Sequence, residues 1–233
     1  ATLKSGLYLG FRAPKTGVFQ VSSVSSGTYH MGLFNNQRKQ LTYYSQLGWY
    51  SDAYEASIDV IEYGVRKSQV YYMKLTGTST SAGAKTIALK GTVAAAYDPC
   101  TTMGAARAVG YNKPATTALY TKCNSWYKFY LSSPAKVSVY INTVFHNNSK
   151  DKYYLSLYKQ GSSKPLYSDT KYGDSGYAYT DLNAAETQVY IKSRTTELAP
   201  NYTLSKGMYY LRVATTTYSA NGYTSVWYGP CSD

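Results

Sequence analysis

Few residues of this chain have the types and spacing that enzymatic chemistry requires. Ser175 lies in a Gly-Asp-Ser-Gly sequence and could act as a nucleophile only if a histidine base were oriented beside it. The two histidines, His30 and His146, each adjoin an apolar, strand-like segment and belong to no recognisable base motif. Asp-Ser-Gly is also an ordinary turn sequence. We therefore predict that the chain is not an enzyme.

The carboxylates are as sparse as the bases. The chain has 12 acidic residues, and Glu55, Asp59 and Glu62 form their one cluster. Glycoside hydrolysis needs two opposed carboxylates, and a Ca²⁺ loop needs several closely spaced oxygen ligands. The acids from Asp169 to Asp181 are too widely spaced for a known cation motif, and no Cys-x-x-Cys pair is present. We predict no catalytic residue, no metal site and no cofactor.

Aromatic side chains are the outstanding feature, with Tyr accounting for 29 of 233 residues. Two aromatic groups fall outside the alternating strand patterns, at equivalent places after similar strands. Exposed rings can stack on the C–H faces of sugars while neighbouring polar groups bond to the hydroxyls, although such rings also pack over the ends of domains. The predicted ligand-binding residues are the rings of Trp49, Tyr50, Tyr54, Tyr172, Tyr177 and Tyr179, with the polar side chains of Asp52, Lys171 and Asn183. Trp126 and Trp227 lie within strand patterns, and we expect them in the core.

The strand-like segments that would position these aromatic residues occur twice in the sequence. Three blocks recur in the same order, which indicates a duplicated unit. The blocks are Phe11-Arg12-Ala13-Pro14 with Val18 to Val21 against Tyr130 to Pro134 with Val137 to Tyr140, Met31 to Phe34 against Leu155 to Tyr158, and Val70 to Leu75 against Met208 to Val213. Short alternating runs separated by Gly, Ser, Asn and Pro are typical of β-sandwiches. We predict an all-β chain of two tandem antiparallel, jelly-roll-like sandwiches, covering residues 1–97 (the divergent copy) and 98–233.

Charge and cysteines set weaker limits. The formal net charge is +12, but the basic residues do not form a stripe, so we expect no nucleic-acid partner. No apolar run is long enough to cross a bilayer, and we expect no membrane insertion. Of the three cysteines, Cys100 could pair with Cys231, which the strand order slightly favours, or with Cys123; all three could also stay reduced.

Three segments of the second half carry a resemblance to a known family. They are Trp126 to Leu131, Tyr154 to Tyr158 and Gly207 to Val213. They resemble the first, middle and penultimate strands of bacterial pre-peptidase C-terminal (PPC) domains, and the first half matches less well because Gln69 stands where a turn glycine is expected. The resemblance implies secreted or cell-surface accessory modules, several of which bind insoluble polymers such as collagen and polysaccharides.

The function predicted from sequence is non-catalytic polysaccharide binding by an extracellular bacterial module. A neutral α-glucan such as starch is the first choice of ligand, because Tyr-rich platforms are common in starch-binding modules. The alternatives are adhesion to collagen or another host protein, and a structural spacer. The phrase Tyr97-Asp98-Pro99-Cys100 recurs as Tyr228-Gly229-Pro230-Cys231, which predicts further modules of a longer chain as neighbours. We expect a monomer.

Overall fold

Strands account for all of the regular structure in the described part of the chain. The computed structural model describes residues 7–23, 28–41, 45–49, 57–58, 61–77, 89–120, 122–146, 152–172, 191–198, 203–215 and 222–230. The strands of the first half are β1 (Leu7–Arg12), β2 (Gly17–Ser23), β3 (Thr28–Phe34), β4 (Ser45–Trp49), β5 (Ser57–Ile58), β6 (Ile61–Val65), β7 (Val70–Gly77) and β8 (Leu89–Ala95). Those of the second half are β9 (Arg107–Ala108), β10 (Ala115–Leu119), β11 (Asn124–Leu131), β12 (Ser138–His146), β13 (Lys152–Lys159), β14 (Tyr167–Tyr172), β15 (Ile191–Leu198), β16 (Gly207–Thr215) and β17 (Gly222–Gly229). The all-β prediction is confirmed.

Four sheets use these strands, two in each half. The first half has a five-stranded sheet in the order β1-β7-β3-β4-β5 and a three-stranded sheet in the order β6-β2-β8. The second half has a five-stranded sheet, β14-β13-β16-β11-β9, and a four-stranded sheet, β10-β17-β12-β15. All strand pairs are antiparallel except β9 with β11. The boundary between residues 97 and 98 stays a prediction, because Tyr97 itself pairs with Thr117 of β10.

The strand orders of the two halves repeat. The order β1-β7-β3-β4 corresponds to β11-β16-β13-β14, and β8-β2-β6 corresponds to β17-β12-β15. In the second half, successive strands from β10 to β17 alternate between the two sheets, except that β13 and β14 follow each other in the same sheet; this is the strand order of a jelly roll. Strand β10 has no counterpart among the described residues of the first half. The duplication seen in sequence is thus also a duplication of topology.

Each half has its own core, formed by the inward side chains of both its sheets. Met31, Leu33 and Leu75 are fully buried in the first core, and Leu155, Leu157 and Val213 are fully buried at the matching positions of the second. Full burial of one such side chain contributes about 1.5–3 kcal/mol. The two clusters contain no residue in common.

The strand register corrects one detail of the sequence repeat. In the first half Phe11 pairs with Tyr71, and in the second half Phe129 pairs with Tyr209. Phe11 therefore corresponds to Phe129, and Ala13 corresponds to Leu131, two residues away from the alignment made on the shared proline. Both rings pack on their partners, at centroid distances of 5.6 Å and 5.4 Å. The proline alignment is wrong because the turn after β11 is two residues longer than the turn after β1.

The two halves touch through a close approach of backbones. Gly64 of β6 faces the end of the second sandwich, where a Cβ atom on it would lie 2.5 Å from the carbonyl oxygen of Gly222 and 2.6 Å from that of Leu119. No side chain larger than hydrogen fits there without a shift of backbone. The outer face of the three-stranded sheet therefore packs directly on the ends of β10 and β17.

Polar contacts surround this junction. The Tyr120 hydroxyl donates a hydrogen bond to the Val65 carbonyl oxygen at 3.2 Å, and the Arg66 guanidinium lies 4.2 Å from the centre of the Tyr120 ring. Asp98 accepts a hydrogen bond from the Thr16 hydroxyl at 3.0 Å. Burial, with the Asp98 carboxylate as a second cause, raises the pKa of Tyr120 far above its usual value. The tyrosine is therefore neutral at every ordinary pH and acts as a hydrogen-bond donor across the junction.

A second tyrosine crosses the junction beside Glu62. Burial raises the pKa of Tyr223 to about 12, and the neighbouring Glu62 carboxylate adds to the effect. Glu62 is held in place by the Gln20 amide, which donates to its carboxylate at 2.7 Å. The Glu62 carboxylate thus has two neutral partners, Gln20 from the first half and Tyr223 from the second.

The cysteines of the described residues are thiols. Cys100 is half-buried and Cys123 is buried, and neither forms a disulfide. A bond between these two, one of the pairings considered from sequence, is therefore absent, while Cys231 lies outside the described residues. The described residues also contain no helix of the length and apolarity that a membrane span requires.

Candidate functional site

The outward side of each five-stranded sheet is rich in aromatic side chains. Alternation along β11 places Tyr127 and Phe129 in the core, so that Trp126, Lys128 and Tyr130 point outwards. The neighbouring strands β16 and β13 follow the same alternation, and their outward residues complete a continuous surface. We define the second aromatic face by Trp126, Tyr158, Tyr210 and Arg212.

Contacts between its side chains organise the second aromatic face. The rings of Trp126 and Tyr158 lie 5.5 Å apart with a tilt of 44°, across the intervening strand β16. Arg212 is directly opposite Trp126 in the strand register, and its guanidinium carbon lies 6.0 Å from the centre of the Trp126 ring. Asn124 accepts hydrogen bonds from Nε and Nη2 of Arg212 at 2.9 and 2.8 Å. The guanidinium is therefore held in a fixed orientation within the face.

Further rings extend the second aromatic face along its strands. Tyr210 pairs with Lys128 on one side and with Tyr158 on the other, so it lies at the centre. Tyr130 and Tyr154 are 51% and 38% exposed, although both belong to strands. Rings on three adjacent strands, exposed on β11 and β13 and half-buried on β16, form a shallow surface that is open to a large ligand.

The first half has an equivalent surface, the first aromatic face, defined by Tyr8, Phe34, Tyr72 and Lys74. The rings of Tyr8 and Phe34 meet edge to face, with centroids 5.7 Å apart. The ammonium nitrogen of Lys74 lies 5.6 Å from the centre of the Tyr8 ring. The Arg38 guanidinium lies 5.5 Å from the Tyr8 ring and 5.8 Å from the Tyr72 ring. Cations thus approach the rings of this face from two directions.

A tight turn places Arg38 above the first aromatic face. The side-chain oxygen of Asn35 accepts hydrogen bonds from the backbone N–H groups of Gln37 and Lys39, at 2.9 and 2.8 Å. Arg38 itself adopts a left-handed conformation with φ of 58°, which reverses the chain. The reversal directs its side chain back over β1 and β7.

The two faces correspond position by position. Tyr8 pairs with Lys74 as Trp126 pairs with Arg212, and Phe34 pairs with Tyr72 as Tyr158 pairs with Tyr210. Each face therefore has three rings and one cation at the same places of the same sheet. The correspondences, in chain order, are Tyr8 with Trp126, Phe34 with Tyr158, Tyr72 with Tyr210, and Lys74 with Arg212.

Acidic side chains are scarce around both faces. Among the residues whose side chains the structure describes, the acids are Glu62 and Asp98, and both belong to the junction between the halves. Among the described residues, no group of three or more His, Cys, Asp and Glu side chains could hold a metal ion. The two aromatic faces can therefore bind a ligand by ring stacking, by hydrogen bonding and by attraction to their positive charges.

Most of the binding residues predicted from sequence lie outside the described residues, namely Tyr50, Asp52, Tyr54, Tyr177, Tyr179 and Asn183. Three others have a described backbone. Trp49 ends β4 and pairs with Ser57, while Lys171 and Tyr172 end β14. Both strands belong to the five-stranded sheets that carry the aromatic faces. The predicted loop sites stay predictions.

The prediction that Trp126 and Trp227 are core residues is wrong. Both are half-buried and point outwards, Trp126 on the second aromatic face and Trp227 on the four-stranded sheet, where it stacks on Tyr140 at 5.4 Å. Sequence contained a signal for Trp126: Lys128 and Tyr130 share its strand parity, and a lysine seldom points into a core. Strand β11 carries aromatic residues on both faces, so the aromatic residues alone did not decide which face is buried.

Comparisons with known proteins add little to this description. No family model and no curated protein matches the chain. Latent PorU from Porphyromonas gingivalis is 11% identical with a TM-score of 0.28, over 96% of this chain and 24% of that one. The CUB1-EGF-CUB2 segment of human MASP-1/3 is 6% identical with a TM-score of 0.25, over 97% and 93%. A Cry1Da tryptic core variant from Bacillus thuringiensis is 10% identical with a TM-score of 0.29, over 94% and 42%.

The chain spans about a quarter of the PorU chain that it matches. Similarity at this level carries no argument about function. The resemblance to PPC domains stays a prediction, and the aromatic faces have to be interpreted from their own chemistry.

Proposed function

We propose that the chain is a non-catalytic polysaccharide-binding module of an extracellular protein, and that the two aromatic faces are its binding surfaces. One observation carries the proposal: the same four positions of both halves present three rings and a cation on the outward side of a sheet. Phe34 is buried, at 6% exposure, but the other five rings remain at least partly accessible although each sandwich has its own core on its inner side.

The geometry suits a polymer of sugar rings. Aromatic side chains on adjacent strands are spaced about 4.8 Å apart across a sheet and about 6.7 Å apart along it, so the rings cover an area rather than a point. A flat surface can contact several sugar units at once, whereas a small ligand needs a concave pocket. Mutual packing already restricts Trp126 and Tyr158, and a restricted ring loses little conformational entropy on binding.

The proposal is tested by retention on insoluble glycans. Starch, cellulose, xylan and chitin are compared, with collagen as the protein ligand, at low and high salt. Trp126→Ala and Tyr8→Ala remove one ring from each face, and Tyr111→Ala removes a ring that is 51% exposed but belongs to neither face. Loss of one central contact residue typically costs more than 1 kcal/mol, so we expect about fivefold or greater weakening for the face variants.

The outcomes separate the functional classes. Retention on a glycan that falls in Trp126→Ala or Tyr8→Ala, but not in Tyr111→Ala, supports the proposal. Retention on collagen alone would instead favour adhesion to protein, and recovery of all the protein in the supernatant would favour a spacer. Circular dichroism checks that each variant is folded, which we expect because the removed rings lie outside both cores. The preference for neutral α-glucan, made from sequence, is one arm of the same experiment.

A further inference from the structure

We infer that the ligand of the second aromatic face is an acidic polysaccharide, a polymer whose sugar units carry carboxylate groups. The inference rests on the proposed function, because it presumes that this face binds a glycan. It replaces the neutral glucan expected from sequence with a ligand of opposite charge to the face.

Arg212 provides the first step. Among the described residues, its contacts are with neutral groups, namely the side-chain oxygen of Asn124 and the ring of Trp126. A guanidinium has five N–H donors, and Asn124 occupies one on Nε and one on Nη2. The N–H groups of Nη1 and the second N–H of Nη2 remain for a ligand. Two of them point the same way at the end of the group, in the fork that matches the two oxygens of a carboxylate.

Lys128 places a second positive charge on the same face. It lies two residues from Trp126 and two from Tyr130 on β11, and it pairs across the sheet with Tyr210. Arg212 pairs with Trp126, so the two cations occupy neighbouring rows of the sheet. Successive rows are about 6.7 Å apart, so the two cations cover an extended area and not a single point. Rings and cations thus alternate over the face.

In the part of the chain whose side chains are described, no acid lies on the second aromatic face to balance this charge. The acids with described side chains, Glu62 and Asp98, lie at the junction between the halves and not on the face. The whole chain has 24 basic and 12 acidic residues. A carboxylate-bearing ligand would supply an acidic partner for Arg212, and attraction between opposite charges would also speed its association.

The first aromatic face repeats the pattern with different residues. Lys74 stands at the position of Arg212, and Arg38 adds a guanidinium above the Tyr8 and Tyr72 rings. A cation among the rings is therefore a shared property of both halves. Single-stranded nucleic acid also combines rings with negative charge, but proteins bind it along a continuous basic groove. Arg212 and Lys128 are separated by aromatic rings and do not form such a groove. This arrangement suits a polymer with one charge on each sugar unit better than it suits a nucleic acid.

The experiment compares alginate with the same alginate after chemical reduction of its carboxylates to alcohols. Both polymers have the same chain length and linkage, so the comparison isolates the charge. We expect wild type to bind alginate at least tenfold more tightly than the reduced polymer, as measured by titration calorimetry. Binding to alginate should weaken as NaCl rises from 50 to 500 mM, because salt screens exposed charges.

Four variants assign the effect to residues. Arg212→Gln and Lys128→Gln each remove one charge from the face, and Lys136→Gln removes one from an exposed loop position outside it. We expect about tenfold weaker alginate binding in Arg212→Gln, severalfold weaker binding in Lys128→Gln, and wild-type binding in Lys136→Gln. Arg212→Lys keeps the charge and loses the fork, so it should fall between wild type and Arg212→Gln.

Each outcome decides one level of the argument. Equal binding of both polymers, or equal affinities of Arg212→Gln and Lys136→Gln, would overturn the acidic ligand and leave glycan binding intact. Tighter binding of an oligothymidine than of alginate would also overturn it, in favour of nucleic acid. Absence of binding to any glycan, neutral or acidic, would overturn the proposed function itself.

Discussion

Gly64 offers the sharpest test of the junction between the halves. The Gly64→Ala substitution adds one Cβ atom at 2.5 Å from the Gly222 carbonyl oxygen and 2.6 Å from the Leu119 carbonyl oxygen. Ordinary van der Waals contact begins at 3.4 Å, so these two backbone segments would have to retreat by roughly 0.8 Å. Both obstacles are backbone atoms at strand ends and cannot rotate away as a flexible side chain would.

The expected cost is that of overpacking a well-packed region, about 1–3 kcal/mol. For a chain of this size, each kcal/mol lowers the melting temperature by roughly 2–4 °C. Gly104→Ala is the matched control, because a Cβ atom there meets no other atom within 4 Å. Thermal and urea denaturation of both variants, followed by circular dichroism, give the comparison.

Two results would refute this reasoning. The first is a Gly64→Ala protein with the same melting temperature and urea midpoint as Gly104→Ala. The second is an equal loss of stability in both variants, which would show that the cost comes from replacing glycine and not from the contact. If the two halves unfold in separate transitions, a decrease in the midpoint of one transition only would place the damage at the junction and in the half that unfolds in that transition.

Three further predictions concern single residues. Cys100 should react with iodoacetamide before Cys123 in the native protein, because Cys123 is only 9% exposed; equal labelling in peptide mass spectra would contradict this. Since the pKa of Tyr223 is raised to about 12, its neutral form stabilises the fold fully below about pH 10, its unfolded value, and that stabilisation should be lost as pH rises through 12. Urea midpoints at pH 9 to 12 test this, and a fall that is identical in Tyr223→Phe would exclude Tyr223 as its source. Gly161 has φ of 83° in open space, so Gly161→Ala should cost about 1 kcal/mol in urea unfolding, and an unchanged midpoint would argue against the left-handed turn.

Sequence predicted the fold better than the site, for a physical reason. The repeated blocks are core strands, and burial of Leu157 or Leu211 demands an apolar residue at a fixed spacing, which leaves a readable pattern. The outward rings have no such constraint. Tyr158 and Tyr210 look in sequence like further apolar strand residues, and only the pairing of β16 with both β11 and β13 brings them beside Trp126.

The topology of the second half has a consequence for its biosynthesis. Strand β10, Ala115–Leu119, hydrogen-bonds to β17, Gly222–Gly229, so its partner is made about a hundred residues later. The four-stranded sheet therefore cannot close until the last described strand has left the ribosome, whereas the first half closes with β8. Folding of such non-local pairings is slow, and aromatic strands stay open to wrong partners meanwhile. All strands of the first sandwich are synthesised earlier, so its junction surface around Gly64 can already be folded when β10 and β17 pack against it.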